Sequence, residues 1–165
     1  MVALTRQVSR VVAVSLVACL AVGCASYRAT ISVRPTADAA EGAPISDADR
    51  SRAQEALSHV VREQGLVVSP EFENVARASR DDPNWKEEVI ALYVTSAWGV
   101  EGLEVVSAVD KGTGQYRVAI VQYGSPWPSE AAKALEAAVL RAIQQELGSQ
   151  RVQINRRKGG PSLSP

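Results

Sequence analysis

The feature that most constrains the fold of this chain is a change of hydrophobic period along it. Residues 46–65 and 129–148 carry apolar side chains every three or four positions, which is typical of amphipathic helices. Between them, residues 89–123 contain β-branched and alternating apolar segments, which are typical of strands. Two amphipathic helices that flank a run of strands cannot bury all of their apolar side chains by packing on each other alone. We therefore predict an α+β fold, a two-layer sandwich with both helices on one face of a mainly antiparallel sheet.

Capping residues define the ends of both predicted helices. Ser46 and Ser129 are good N-caps, since a serine oxygen accepts a hydrogen bond from a free N–H of the first turn. Gly65 and Gly148 are predicted to end the helices, because glycine readily adopts the left-handed conformation that follows a helix. The residues predicted to face the core are Ala53, Leu57, Val60 and Val61 in the first helix and Leu135, Val139, Ala142, Ile143 and Leu147 in the second.

Six strands are predicted from alternation and from β-branched or aromatic composition. They lie at residues 27–34, 66–68, 89–95, 103–109 and 116–123, with a last strand at Val152 and Ile154. Gly112 and Gly114 predict a tight hairpin turn, because glycine tolerates a positive φ. Residues 71–84 are weakly periodic and predict no regular element.

The N-terminus divides into a basic start and a short apolar run. The start contains Arg6 and Arg10 and no acidic residue, and residues 11–23 are apolar apart from Ser15 and Cys19. This order is typical of a secretory signal peptide. As a helix the apolar run would extend about 20 Å, which is too short for a bilayer core of about 30 Å. We therefore expect no permanent transmembrane anchor in this segment.

The apolar run ends in Leu20-Ala21-Val22-Gly23-Cys24, followed by Ala25 and Ser26. It resembles the lipobox of bacterial lipoprotein precursors, in which an aliphatic residue and two small residues precede an invariant cysteine. The resemblance implies cleavage before Cys24, a thioether-linked diacylglycerol on its sulfur and, in many bacteria, an N-acyl chain on its amine. Two or more acyl chains anchor a protein stably. Ala25, where the family uses Asp for inner-membrane retention, implies the outer membrane in a bacterium that has one.

Cys19 is the alternative lipidation site. Leu16-Val17-Ala18-Cys19 is formally the better lipobox, because leucine stands where the Cys24 box has Ala21. Cleavage before Cys19 would shorten the apolar run and leave Leu20-Ala21-Val22 in the exported chain, so Cys24 is preferred. A plain secretory signal or an N-terminal membrane helix that contains cysteine by chance is the remaining alternative.

Cysteine and charge counts limit what the exported protein can be. Loss of Cys19 and acylation of Cys24 would use both cysteines, so the domain must fold on its apolar core without a disulfide. Cleavage after residue 23 also removes Arg6 and Arg10 from the 18 basic residues, while all 18 acidic residues stay. The slightly negative charge that results gives no electrostatic basis for a nucleic-acid partner.

These observations divide the 165-residue chain into four parts. They are a cleaved signal peptide (1–23), a lipidated N-terminus with a first strand and a linker (24–45), one α+β domain (46–155) and a disordered tail (156–165). Arg156-Arg157-Lys158 in this tail is interpreted as a solvated chain end, and contact with anionic lipid headgroups is the alternative.

Few residues outside the N-terminus are candidates for chemistry. His59 is the only histidine, which excludes a histidine-rich metal site, and it is predicted on the surface of the first helix. Asp81 and Asp82 precede a Pro-Asn pair and are interpreted as a turn rather than cation ligands. Ser107 and Asp110 lack the G-x-S-x-G elbow of a hydrolase triad. We therefore predict no catalytic, cofactor-binding or metal-binding residue.

Three tryptophans, Trp85, Trp98 and Trp127, fall at the ends of predicted elements or in loops. Tryptophan is enriched at binding hot spots, so exposed members would form a surface for a carbohydrate, a peptide or a protein partner. The alternative, which a small core favours, is that the indoles cap the ends of that core.

The sequence thus predicts a lipid-anchored protein of the bacterial cell envelope that faces the periplasm from the outer membrane. Its α+β domain is expected to be non-enzymatic and to act through contact with an envelope protein, with the lipid on Cys24 as its attached group and no cofactor. An envelope hydrolase or a binder of a small ligand or carbohydrate is the rival. A perturbed acid in a cleft near Asp81, Asp82 or Asp110 would favour the rival, whereas an exposed flat or tryptophan-lined patch would favour partner binding.

Overall fold

The computed structural model describes residues 26–36, 43–95 and 102–158. These ranges form a six-stranded sheet and three helices, which confirms the predicted α+β fold. The strands are β1 (Ser26–Val33), β2 (Leu66–Val68), β3 (Glu87–Thr95), β4 (Leu103–Asp110), β5 (Tyr116–Tyr123) and β6 (Val152–Lys158). The helices are α1 (Asp47–Glu63), α2 (Phe72–Asp81) and α3 (Glu130–Leu147).

The strands are arranged in the order β2-β3-β4-β5-β1-β6, and every neighbouring pair is antiparallel. The first strand is therefore an interior strand of the domain, with Ile31 opposite Val118 of β5 and Ile154 of β6. β6 continues to Lys158, so residues 156–158, which the sequence assigns to a disordered tail, are paired strand. Local composition could not reveal this pairing, because the partner strand is at the other end of the chain.

Helices α1 and α3 pack side by side on one face of the sheet, as predicted, and bury the main core there. Both predicted N-caps are present: Oγ of Ser46 accepts from the N–H of Asp49 at 3.1 Å, and Oγ of Ser129 accepts from Ala132 at 3.1 Å. Alternate residues of the strands point into this core, and the fully buried ones include Ile31, Val33, Val105, Val118 and Ile120.

Helix α2 lies on the opposite face, in the segment for which the sequence predicts no element. It buries Ala76 and Ser79, and Oγ of Ser79 accepts a hydrogen bond from the N–H of Val89 at 2.9 Å. Phe72 and Val75 complete this inward face at helical spacing, but the stripe covers only about two turns and ends in a serine, so the segment was not recognised as a helix. Because α2 covers the β3 side alone, much of this face of the sheet stays open.

A bulge in β3 adapts this strand to helices on both of its faces. Val89 pairs with Ala108 and Ala91 pairs with Ser107, so that Ile90 has no opposite residue. The extra residue turns Val89 towards the α2 face and Ala91 towards α1.

Candidate functional site

The open part of the α2 face forms a groove of about 560 Å³, which we call the sheet groove. Its floor consists of outward-facing residues of β3, β4 and β5, and α2 forms one wall with Val75. The floor residues are apolar: Val89, Leu92, Val106, Ala108, Ala119 and Val121. Val89, Leu92, Ala108 and Ala119 are buried, whereas Val106 and Val121 are partly exposed to the groove.

Arg28, Glu104 and Tyr123 line one end of the sheet groove, which we call the tyrosine end. The sheet register brings them together, because Val121 of β5 lies between Arg28 of β1 and Glu104 of β4. The hydroxyl of Tyr123 donates a hydrogen bond to Oε2 of Glu104 at 3.2 Å. A cation, an acid and a phenol thus lie beside the apolar floor.

Burial changes the proton affinity of both acidic groups at the tyrosine end. It raises the pKa of the Glu104 carboxyl, against the opposing effects of the Tyr123 hydrogen bond and the Arg28 charge. Burial, together with the charge of Glu104, raises the pKa of the Tyr123 hydroxyl to about 12. Glu104 is therefore a carboxyl in a partly apolar setting, where a hydrogen bond from a ligand would be stronger than in water.

Trp85, Glu87 and Arg117 line the opposite end of the sheet groove, which we call the tryptophan end. Nη1 of Arg117 lies 3.0 Å from Oε1 of Glu87 and 3.3 Å from Oδ2 of Asp110. Oδ1 of Asp110 accepts from the backbone N–H of Thr113 at 2.8 Å, and this bond is the main reason why the pKa of Asp110 is lowered. Asp110 is thus a stabilised carboxylate that holds the hairpin turn.

The described tryptophans lie at opposite ends of the sheet. Trp85 precedes β3 and is 38% exposed, whereas Trp127 follows β5 and is 63% exposed. β3 and β5 are both antiparallel to β4, so the start of β3 and the end of β5 point to opposite ends. The structure thus places Trp85 in the sheet groove and does not join it to Trp127. Trp98, Cys19 and Cys24 lie outside the described residues.

The residues considered for a hydrolase triad are not brought together. His59 is exposed on α1, with Nδ1 3.4 Å from Oε2 of Glu63. Ser107 is fully buried beneath α1 and donates to Oε1 of Gln54 at 2.7 Å. Asp110 lies three positions along β4 and therefore on its other face. A buried Ser107 bound to Gln54 is not accessible as a nucleophile.

Asp81 and Asp82 lie where α2 ends, and the turn predicted from them is present. Oδ1 of Asp82 accepts from the backbone N–H of Asn84 at 2.8 Å and from its side-chain amide at 2.9 Å. Within the described ranges, no group of three His, Cys, Asp or Glu side chains is arranged to hold a metal ion.

A second depression, of about 710 Å³, runs along the exposed side of α1. Apart from Ile90, its walls are polar or charged side chains of this one helix, among them Arg50, Glu55 and Arg62. It lacks an apolar floor. The sheet groove is the better candidate because binding sites combine buried apolar surface with a few polar groups.

Most residues of the sheet groove could not be identified from the sequence, because polar and apolar residues alternate along a strand that is exposed on one face. The polar members occupy outward positions of strands, where a polar residue indicates only solvent; they are Arg28, Glu104, Arg117 and Tyr123. The available signal was the apolar character of the neighbouring outward positions, which are Val106, Ala108, Ala119 and Val121. Strands buried on both faces show such runs.

No helix in the part of the chain that the structure describes is both long and apolar enough to cross a lipid bilayer. No family model, no curated protein and no solved structure matches this chain.

Proposed function

We propose that this protein is a lipid-anchored binding module of the bacterial cell envelope. Its lipid is carried by Cys24, with Cys19 as the alternative, and its domain faces the periplasm from the outer membrane. In this proposal the sheet groove holds an extended segment of a partner protein. The lipobox resemblance supports the anchor, and the apolar floor of the groove supports the binding role.

The apolar floor is the observation that carries the binding proposal. Val89, Leu92, Ala108 and Ala119 are already buried within the domain. Val106 and Val121 are partly exposed and are the apolar floor residues that a partner could cover. Apolar side chains of a partner segment would release water from these two valines, at about 25 cal/mol for each Å² of apolar surface buried.

The dimensions and polar ends of the groove favour an extended peptide. Arg117 and Tyr123 lie at opposite ends of the groove floor on β5, about 20 Å apart at about 3.4 Å per residue. Six or so residues of an extended segment would cover that length. Polar groups and an aromatic ring at each end would hold the peptide backbone, and the apolar floor would hold its side chains.

A carbohydrate or another small ligand is the second candidate, and Trp85 is the observation that favours it. An exposed indole next to Glu87 and Arg117 offers a stacking surface beside hydrogen-bonding groups. The open form of the groove favours the peptide, since sites for small ligands usually enclose most of the ligand.

Metabolic labelling with a palmitate analogue tests the anchor. Cells would carry the wild-type chain, Cys24→Ser or Cys19→Ser, followed by membrane fractionation. Cys24→Ser is expected to lose both the label and the membrane association, while Cys19→Ser keeps both. Label and membrane association that persist in Cys24→Ser would overturn the assignment of Cys24.

Site-specific photocrosslinking in cells tests the groove. A photoreactive amino acid would replace Val106 in the floor, and the matched control would replace the exposed Ala137 on α3. We expect the Val106 probe alone to crosslink to one short segment of an envelope protein. A synthetic peptide of that segment should then bind the purified protein and change the fluorescence of Trp85. Crosslinks to glycan would support the second candidate, and equal crosslinking from Ala137 would contradict a specific groove.

A further inference from the structure

We infer that the end of the sheet where β1 begins rests on the membrane, and that Arg28 and Arg157 bind the phosphate groups of anionic phospholipids there. The inference rests on the proposed function, because it takes Cys24 as the lipidated residue. It specifies how the domain is oriented and which side chains hold it against the bilayer.

Covalent geometry brings this end of the domain to the bilayer surface. β1 begins at Ser26, two residues after Cys24, and two residues span at most about 7 Å even when fully extended. The headgroup layer on each side of a bilayer is about 5 to 8 Å thick. Acyl chains on Cys24 would therefore hold the first residues of β1 at the headgroups, whatever the conformation between them.

Strand pairing makes this end of the sheet a fixed surface. Ser26 pairs with Tyr123 of β5, and Tyr27 pairs with Lys158 of β6. The ring of Tyr27 is buried, and its hydroxyl donates a hydrogen bond to Glu136 of α3. A lipid on Cys24 would therefore pull on an interior strand rather than on a loose extension, and the domain would keep one orientation.

Arg28 and Arg157 form a paired cationic site at this end. They lie directly opposite each other in the β1–β6 register and both side chains are exposed. Among the described residues, neither guanidinium has a carboxylate within ion-pair distance. Like charges that face each other across strands are destabilising, so this pair would be relieved by an anion between them.

Arg156, the neighbour of Arg157 in β6, differs from Arg28 and Arg157 because it has a partner inside the protein. Arg156 lies on the other face of the strand, where its Nη2 is 2.6 Å from Oε1 of Glu136. Arg156 is thus paired inside the protein, whereas Arg28 and Arg157 have no ion-paired carboxylate among the described residues, and Arg28 acts on Glu104 through its charge alone. A guanidinium binds phosphate oxygens with two parallel hydrogen bonds, which makes phospholipid headgroups suitable partners.

Trp127 lies at the same end and offers a probe of the orientation. It follows β5, whose last residue Tyr123 pairs with Ser26. Indole rings are enriched at the headgroup level of membranes. Trp85, at the opposite end of the sheet, is the matched control, since the length of β5 places it roughly 25 Å further from the bilayer.

Fluorescence quenching by brominated phospholipid tests the orientation. The full-length lipidated protein would be reconstituted into phosphatidylcholine vesicles with or without phosphatidylglycerol, and acyl chains mapped by mass spectrometry. Two double variants would each keep one tryptophan. Trp85→Phe with Trp98→Phe keeps Trp127, and Trp98→Phe with Trp127→Phe keeps Trp85. We expect quenching of Trp127 and little quenching of Trp85, with the difference larger in vesicles that contain phosphatidylglycerol. Equal quenching of both indoles, or stronger quenching of Trp85, would overturn the orientation.

Removal of the two arginines tests the phosphate contact in a chain that keeps all three tryptophans. Arg28→Ser with Arg157→Ser is expected to lower the ratio of docked to undocked domains roughly thirtyfold, from about 1 kcal/mol for each cation near an anionic surface. The control is Arg77→Ser with Arg141→Ser, which removes the same charge from two exposed positions elsewhere. An equal loss of total quenching in both double variants would show that general charge, rather than this pair, is responsible.

The mass spectrum separates failure of the anchor from failure of the inference. Lipid on Cys19 would refute the proposed anchor and also this inference, because seven residues reach about 25 Å and would free the domain from the surface. Lipid on Cys24 without quenching of Trp127 would refute the inference alone and leave the proposed anchor in place.

Discussion

Nη2 of Arg151 lies 2.6 Å from Oδ2 of Asp49, an ion pair that joins the turn before β6 to the first turn of α1. Both side chains are largely buried, at 12% and 8% exposure. The Arg151 hydrogen bond, with further bonds from Arg52 and Ser46 and against the effect of burial, lowers the pKa of Asp49 to about 2. The strand that pairs with β1 is therefore attached to the helical layer by a charge pair that stays ionised near neutral pH.

Replacement of Asp49 by alanine should destabilise the fold strongly. Asp49→Ala would leave the guanidinium of Arg151 without its carboxylate in a largely buried place, and we expect the free energy of unfolding to fall by about 3 kcal/mol. The matched control is Asp47→Ala in the same turn, because Asp47 is 89% exposed and its ion pair is with Arg50, three residues along the same helix. Loss of the exposed Asp47–Arg50 pair should lower the free energy of unfolding by about 0.5 kcal/mol. Urea unfolding of the three chains measures both, and equal losses would contradict a special role of the Arg151 pair.

The same ion pair predicts how stability changes with pH. The pKa of Asp49 is about 2 in the folded protein, against 3.8 for an unperturbed Asp. The folded state therefore favours the ionised form, so this stabilisation is present above about pH 4 and is lost as the pH falls towards 2. Asp110, whose pKa is also lowered, acts in the same direction.

Urea unfolding between about pH 2 and 6 measures this dependence. The wild-type chain should lose about 2 kcal/mol more than Asp49→Asn across this range, since each pKa unit corresponds to about 1.4 kcal/mol. The asparagine cannot ionise and should flatten the curve. Parallel curves for the two chains would show that Asp49 does not determine the acid limit of the fold.

The two long helices could be predicted from the sequence because their signals are local. Ser46 and Ser129 stand next to the N–H groups they cap, and the apolar stripes recur within a few residues. Helix α2 carries a local pattern too, since Phe72, Val75 and Ala76 recur at helical spacing. It was missed because the pattern is only about two turns long and ends in Ser79, a polar residue that accepts a hydrogen bond from Val89 in the following strand.

The sheet groove could not be predicted because it depends on strand order. The sequence suggests where β1 and β6 lie, yet not that β1 is inserted between β5 and β6. That order alone places Arg28 opposite Arg157 and next to Val121. Long-range pairing of this kind is decided by the shared core, whose contacts join distant parts of the chain.

The β4–β5 hairpin requires glycine at position 114 and not at position 112. Gly114 has a φ of 64°, and a Cβ there would lie 2.3 Å from Cβ of Pro44. Gly114→Ala should therefore lower the free energy of unfolding by more than about 2 kcal/mol, since the left-handed conformation alone costs an L-residue about 1 to 2 kcal/mol. At Gly112 the nearest atom would be Oδ1 of Asp110 at 3.4 Å.

Gly112→Ala serves as the control in the same turn. The φ of Gly112 is not in the left-handed region, and a Cβ there would make an ordinary contact with Asp110. We therefore expect the free energy of unfolding to fall by less than about 1 kcal/mol. Thermal unfolding followed by circular dichroism compares the two variants directly. Similar melting temperatures for the two variants would indicate that Pro44 can move aside, so that its contact with a Cβ at position 114 does not restrict this position.

Glu104 should behave unlike the structural acids, because the fold does not need its charge. Burial raises the pKa of Glu104, so its ionised form lowers stability above the ordinary glutamate pKa and this cost disappears as the pH falls below it. Glu104→Gln keeps an oxygen for the Tyr123 hydroxyl and removes the buried charge. At about pH 7 we expect the free energy of unfolding to stay within about 0.5 kcal/mol of wild type or to rise. Affinity for the groove peptide should fall at least about tenfold, because a hydrogen bond to a charged group contributes about 1.5 to 3 kcal/mol. Urea unfolding and fluorescence titration measure the two quantities; a loss of stability with unchanged affinity would identify Glu104 as part of the scaffold and not of the site.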